Sequence, residues 1–572
     1  MSCCHLSRYL ITVAKRAVAV VMPAGCRVVV RVLLMSATLV WSGAAVGPAL
    51  AAQASGAQTP SAEAAGAAAA FRQALATAAA PDRDMAAFYR DRRFAPLWTG
   101  RDAASKARLR ALFAAIETAP AHGLPAARYD AAGLLAQMRA VDDVTDLGRL
   151  EARISRSFLM LARDLDAGLV VPGGVDDGIK RVPEARDRAS YLPELAAADT
   201  PRAFIRGLAP DTNEYRRLMK EKMRLERLVA AGGWGPSVPA RRLEPGSEGA
   251  EVVALRDRLI AMGYLKRSVG ATYDARLRQA VLDFQLNHGL KTDGVAGPST
   301  MAKINVTAET RLKSVIVALE RERWLPEDRG ARHILVNLTD FAARIVDDDV
   351  VTFRTRAVVG MNAYDRRTPE FSDRMEHMVI NPTWHVPRSI TVNEYLPQMQ
   401  TNRNAASHLR LYDAAGRPVS RARVNFNAYT ANTFPFSLKQ PPSRENALGL
   451  VKFMFPNKYN IYLHDTPSKH LFDRETRDFS HGCIRLQQPF EFAYRLLSRQ
   501  TDDPQGYFHS VLNTGREATV PLDTPVPVHL IYRTAYTVAG GRTQFRADVY
   551  GRDDKIWQAL SRAGVSVYLR ES

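Results

Sequence analysis

The chain has 572 residues, 46% hydrophobic and 24% charged, with a formal net charge of +19. That length exceeds one core and implies three or four domains, while the composition is that of ordinary globular protein. The basic balance suits an anionic polymer or membrane surface; no zinc-finger spacing or RNA-binding aromatic signature accompanies it, which argues against nucleic acid.

No acidic residue precedes Glu63. Arg27 and Arg31 lead into the run VLLMSATLVWSGAAVGPALAAQ, and Ala49-Leu50-Ala51 offers a small-x-small cleavage site. Residues 1–51 read as an export segment, with an uncleaved membrane anchor as the alternative and Met22 as an alternative start. Cys3, Cys4 and Cys26 fall in this segment, so the exported chain carries Cys483 alone. Exported proteins ordinarily pair their cysteines. A single thiol is a reactive group or an inert accident.

Residues 52–84 are small and polar and read as a tether that turns helical toward its end. Residues 85–232 follow a helical pattern; FLMLARDLDAGLVVP predicts a helix ending near Gly168. They hold no cluster of catalytic residue types and read as a scaffold. GGWGPSVPARRLEPGSEG is a Gly/Pro-rich linker. A small helical unit over 243–306 places Val252, Leu255 and Leu259 on one face and Ala280, Val281 and Phe284 on another. Residues 307–330 predict a connecting amphipathic helix with Leu312, Val315, Ile316 and Leu319 on one side.

From 331 the apolar period changes from helical to alternating, so 331–535 reads as a mainly-β domain. Asp347, Asp348 and Asp349 read as a hairpin tip rather than a metal site. Residues 391–440 are an insertion long enough to form a lid, and 536–572 a C-terminal extension. The whole is a multidomain α+β protein.

Thiol catalysis needs a thiolate, a base and donors for an oxyanion. His464 precedes Cys483 by nineteen residues, enough to loop out and return on an adjacent strand. Gly482 permits a sharp bend, so the N–H groups of Gly482 and Cys483 are oxyanion-hole candidates. Arg485 shares a strand face with Cys483 and suits a substrate carboxylate. Tyr462 shares one with His464.

The stretch SHGCIRL, with His464 sixteen residues before Ser480, closely resembles the catalytic motif of the YkuD-type L,D-transpeptidase family: a histidine, an intervening segment, then Ser/Thr-His-Gly-Cys. NPTWHVP, NALGLVKFMFPN and VYGRD support it. KQPPSRENALG departs from the family pattern, and Asp465 stands where smaller relatives carry glycine; a role through its backbone carbonyl alone makes that change harmless. The 243–306 unit resembles the three-helix peptidoglycan-binding module, through Gly263, Tyr264, Phe284, Gln285, Asp293 and Gly294 among others. The order of scaffold, module and catalytic domain is similar to the large periplasmic members of the family.

That resemblance implies a cofactor-free, metal-free enzyme of the periplasmic cell wall. Cys483 is the nucleophile and His464 the general base; His481 is either catalytic or orients the loop. Tyr462, Arg485 and Trp384 are substrate-binding candidates, with Trp384 and Tyr462 alternatively plain core aromatics. The implied partners are peptidoglycan stem peptides, a donor tetrapeptide and an acceptor amine, with wall-synthesis enzymes by analogy; carbapenems are implied acylating agents. The alternatives are an L,D-carboxypeptidase using the same acyl-enzyme and a non-catalytic wall-binding scaffold. A zinc site at His464, His481 and Cys483 lacks short ligand pairs.

Overall fold

The structure is a computed structural model and describes residues 62–567. The expected export segment 1–51, residues 52–61 of the expected tether and residues 568–572 lie outside the described residues.

The N-terminal region is helical. Its longest helix, Val144–Asp166, starts at Asp143, whose side chain accepts the Asp146 N–H. Glu151, buried inside it, accepts from the N–H of Trp98 at 3.0 Å and of Thr99 at 2.8 Å, and from the Tyr89 hydroxyl at 2.8 Å. One carboxylate thereby satisfies a loop that has no secondary structure of its own. The tether expectation needs correction here. Ala62–Ala79 is a helix packed on Val144–Asp166, with Leu75 and Ala79 fully buried. Alanine is the best helix former, and small side chains allow close packing. A Cβ on Gly148 would meet the Phe71 carbonyl at 2.6 Å, so glycine permits that approach.

Helices Ala250–Ala261, Ala275–Asn287 and Pro298–Ile304 form the small module around Val252, Leu255, Phe284 and Ile304. The helix Ala308–Glu322 is not a mere connector. Leu312, Val315, Ile316 and Leu319 join the scaffold core. Its end carries four buried charges: Arg321 pairs with Glu370 and Asp553 at 2.7 Å each, Arg323 with Glu320 at 2.7 Å, and Glu322 with Arg329 at 3.0 Å. Buried ions persist only when paired, and these pairs disguise burial as surface polarity in the sequence.

Residues 536–567 are likewise not an appended tail. Helix Arg552–Arg562 places Ile556 and Leu560 in the scaffold core. The pair Ala535–Tyr536 and Gln544–Phe545 clamps the module: Gln544 Nε2 donates to Asn287 Oδ1 at 2.7 Å and Arg546 Nη1 to the Asn287 carbonyl at 2.9 Å.

Residues 332–531 contain a nine-stranded sheet that closes on itself, because Ala342–Asp347 pairs with both Arg332–Asn337 and Val350–Gly360. Asp348 and Asp349 form the turn between two of these strands, at φ 49° and 64°, the twist a two-residue hairpin requires. One sheet face is the core, including Ile334, Ala343, Phe453, Leu463, Ile484 and Leu486. Strand alternation then commits their neighbours to the opposite face. There Lys452, His464, Arg485 and Val358 form one cross-strand row.

The insertion starts earlier and ends later than 391–440. Trp384–His385 pairs with Ser437–Gln440, and Arg410–Tyr412 and Pro418–Val419 complete a four-stranded sheet. Its separate core runs from Trp384 to Leu448. Trp384–His385 supplies an edge strand of that sheet, so the insertion is a subdomain rather than a loop.

Candidate active site

Leu463–His464 and Ile484–Leu486 run parallel, with Leu463 opposite Ile484 and His464 opposite Arg485. The Ile484 N–H donates to the Tyr462 carbonyl at 3.0 Å, extending the register to Tyr462 beside Cys483. Leu463 and Ile484 point into the core, so Tyr462, His464, Cys483 and Arg485 share the other face. All four line one cavity of about 780 Å³, together with Trp384, Lys452 and His481.

Cys483 is half-buried. Its thiol donates to the Asn460 carbonyl at 3.4 Å. Burial pushes its pKa up to about 11, opposed by hydrogen bonding from Tyr462 and by the charges of Arg485 and Lys452. His464 is 4% exposed. Its Nδ1 donates to the Asp465 carbonyl at 2.5 Å, and burial, then Arg485, push the imidazole down to about 3. Thiol and imidazole are therefore both neutral near pH 7. The Asp465 carboxylate turns elsewhere, accepting the Leu450 N–H at 2.9 Å and pairing with Lys469 at 2.6 Å. Only its carbonyl touches His464.

The turn that carries Cys483 is braced from below. Gly482 has φ +116°, and a Cβ there would meet Ile461 Cδ1 at 3.2 Å. Its carbonyl accepts from Thr368 Oγ1 at 2.7 Å, and Arg552 Nη2 donates to the Thr368 carbonyl at 3.1 Å. The Gly482 N–H donates to Ser480 Oγ at 3.1 Å, so the oxyanion expectation for Gly482 fails in this state: that donor is already used. Among the described backbone hydrogen bonds none uses the N–H of Cys483, which stays a candidate.

His481 faces the insertion. Its Nε2 lies 2.7 Å from Glu394 Oε1, which also accepts Arg366 Nη2 at 2.9 Å. Arg485 lines the cavity with a buried Nε that has no hydrogen-bond partner. Trp384 is 9% exposed, belongs to the insertion core and meets Tyr395 edge-on at 6.3 Å. Among the described residues no group of three or more His, Cys, Asp or Glu is placed to hold a metal ion.

Sequence reasoning missed Lys452, Asn460 and Glu394. Lys452 was recoverable: Val451 and Phe453 are core residues, so alternation turns Lys452 toward His464. Asn460 acts through its carbonyl, and Glu394 arrives from the insertion; neither leaves a local signal.

Comparison with known proteins bears on this geometry. Residues 331–528 match the family model described as the L,D-transpeptidase catalytic domain. This part of the chain is a YkuD-type L,D-transpeptidase domain. Two further models match the chain ahead of it: "Scaffold domain" over 83–221 and "Putative peptidoglycan binding domain" over 248–304. A curated Haemophilus influenzae protein named "Putative L,D-transpeptidase" is 29% identical over 259 residues, 45% of this chain. The match spans half the length of that relative. A solved L,D-transpeptidase from Xylanimonas cellulosilytica, 17% identical, aligns over 52% of this chain and 98% of its own, with a TM-score of 0.16. One from Stackebrandtia nassauensis, 14% identical, aligns over 52% and 97%, with a TM-score of 0.20. The L,D-transpeptidase domain thus contains every residue singled out at the cavity. Among the described residues no helix is long and apolar enough to cross a membrane.

Proposed function

We propose that the chain is a peptidoglycan L,D-transpeptidase that forms 3→3 cross-links through a Cys483 thioester in the periplasm. The observation that carries this reading is the pairing of Leu463–His464 with Ile484–Leu486, which puts His464, Cys483 and Arg485 on one cavity face. Arg485 and Lys452 supply two cations for the carboxylates of a stem peptide.

Cys483 Sγ attacks the carbonyl joining diaminopimelate to D-alanine in a tetrapeptide stem. Because thiol and imidazole both start neutral, the proton passes from Sγ to His464 as the S–C bond forms. Nδ1–H donation to Asp465 leaves Nε2 as the accepting atom. In this reading the Cys483 N–H donates to the oxyanion. Collapse breaks the C–N bond, and His464 returns its proton to the departing amine of D-alanine. The side-chain amine of a second diaminopimelate then attacks the thioester, passes its proton to His464, and the C–S bond breaks. Cys483 leaves as thiolate and regains that proton. The export segment expected from the sequence of residues 1–51 supports the periplasmic assignment.

Mass spectrometry of disaccharide-tetrapeptide incubated with the protein tests this. The expected product is a dimer lacking one D-alanine, absent with Cys483→Ala. Tripeptide monomer alone makes the enzyme an L,D-carboxypeptidase; unchanged substrate with folded protein overturns the enzyme reading.

A further inference from the structure

A second cleft, of about 670 Å³, lies where the small module meets the catalytic sheet. Leu286, Asn287 and Leu290 of the module line one side; the strands Ala342–Asp347 and Val350–Gly360 line another. Six guanidinium groups converge on it: Arg344, Arg354, Arg356, Arg477, Arg533 and Arg546. Asp340 is the carboxylate among the lining residues, and Arg344, Arg354 and Arg546 share it. Arg533 pairs behind the cleft with Glu322, and its Nε is buried without a partner. Arg477 donates to the carbonyls of Ala357 and Phe341, and Arg356 gives one N–H to the Phe472 carbonyl at 3.0 Å.

Six cations against two carboxylates repel one another. The crowding registers at Arg477, whose pKa is pushed down to about 10 by burial, then by Arg356, Arg354 and Arg546. Folding alone does not call for such a cluster, since like charges in a concave site destabilise it. An anion relieves the repulsion, and the guanidinium fork matches a carboxylate. By strand alternation Arg354 and Arg356 share a face of their strand with Val358. Arg356 stands two residues before Val358, which pairs with Arg485, a separation of about 7 Å along the strand.

We propose that this cleft is a second wall-polymer site, in which the arginines seat stem-peptide carboxylates of a peptidoglycan strand held by the adjoining module. The inference rests on the peptidoglycan reading above. It makes the module and the sheet one binding surface, with strand capture separate from the chemistry at Cys483.

The test compares full-length Cys483→Ala protein with and without Arg354→Gln/Arg356→Gln, by co-sedimentation with purified sacculi at low and high salt. Both arginines are exposed, so the fold tolerates the change; Arg354→Lys/Arg356→Lys controls for charge. The double glutamine variant is expected to bind about tenfold more weakly at low salt, from two lost charge-assisted contacts, and the lysine variant to recover part of this. With Cys483 intact, the same glutamine variant should process soluble disaccharide-tetrapeptide at the parent rate. Unchanged sacculus binding overturns the proposal, as does a parent protein that binds no sacculi. Sacculi with amidated carboxyls should bind the parent and the glutamine variant alike; if they still distinguish the two, a phosphate source replaces the carboxylate. Loss of sacculus binding in a protein whose parent never processes tetrapeptide leaves the cleft standing and removes the transpeptidase reading.

Discussion

Cys483 and His464 both start neutral, and that state can be titrated. With the thiol pushed up to about 11, the thiolate fraction at pH 7 is about one in ten thousand, against about one in thirty for a free cysteine near pKa 8.5. Alkylation by iodoacetamide, which reads the thiolate, should therefore run about 300-fold slower than for a free thiol at pH 7. It should climb about tenfold per pH unit toward pH 10. Tyr462→Phe sharpens the test. The hydroxyl is one of the groups holding the sulfur down against burial, so its loss should raise the pKa further and slow alkylation at pH 8 severalfold. The assay is mass-spectrometric counting of modified Cys483 over time, with thermal unfolding confirming the fold. A pH-independent plateau between pH 5 and 8 would mean a preformed thiolate–imidazolium pair. That result would refute both the neutral assignment and the coupled proton transfer.

Glu370→Gln removes a carboxylate that pairs with Arg321 at 2.7 Å and Arg552 at 3.1 Å, leaving buried guanidinium charge uncompensated. Denaturant unfolding should show a loss of about 3–5 kcal/mol. Gly482→Ala forces a side chain onto φ +116° and against Ile461; turnover should fall at least tenfold, with a lower melting temperature in a differential scan. Acid should destabilise the chain. His464 is held at about 3, and His122 and His529 at about 4, each chiefly by burial. Depressed histidines contribute stability that is present above their ordinary 6.5 and lost as pH falls through the folded values, so the melting temperature should drop between pH 6.5 and 3. A flat profile refutes that burial. Phe545→Ala removes the ring beneath Arg311 at 4.6 Å and beside His288 at 5.8 Å; limited proteolysis should then cut the 232–249 linker faster.

Much of the site was legible because its signals are local. The spacing of His464 and Cys483 needs only a loop and a return strand, and period-two alternation puts Arg485 on the face of Cys483. The same alternation held Lys452 in plain view. Glu394 left no such trace, since its meeting with His481 and Arg366 depends on how the insertion folds over the sheet. The Gly482 N–H looked available because a sequence does not reveal that Ser480 Oγ takes it.

Taken alone, the sequence determined the order of scaffold, module and catalytic domain, the switch from helical to alternating period near 331, and Cys483 as the thiol to explain. Those features follow from composition, periodicity and motif spacing, which are properties of neighbouring residues. Only the tertiary structure decided that Ala62–Ala79, Ala308–Glu322 and Arg552–Arg562 share one core. It also decided that six arginines converge where module meets sheet, and that Cys483 and His464 are neutral. The reason is physical: burial and charge pairing act through space, so a guanidinium with a carboxylate from hundreds of residues away reads as surface until the chain brings them together.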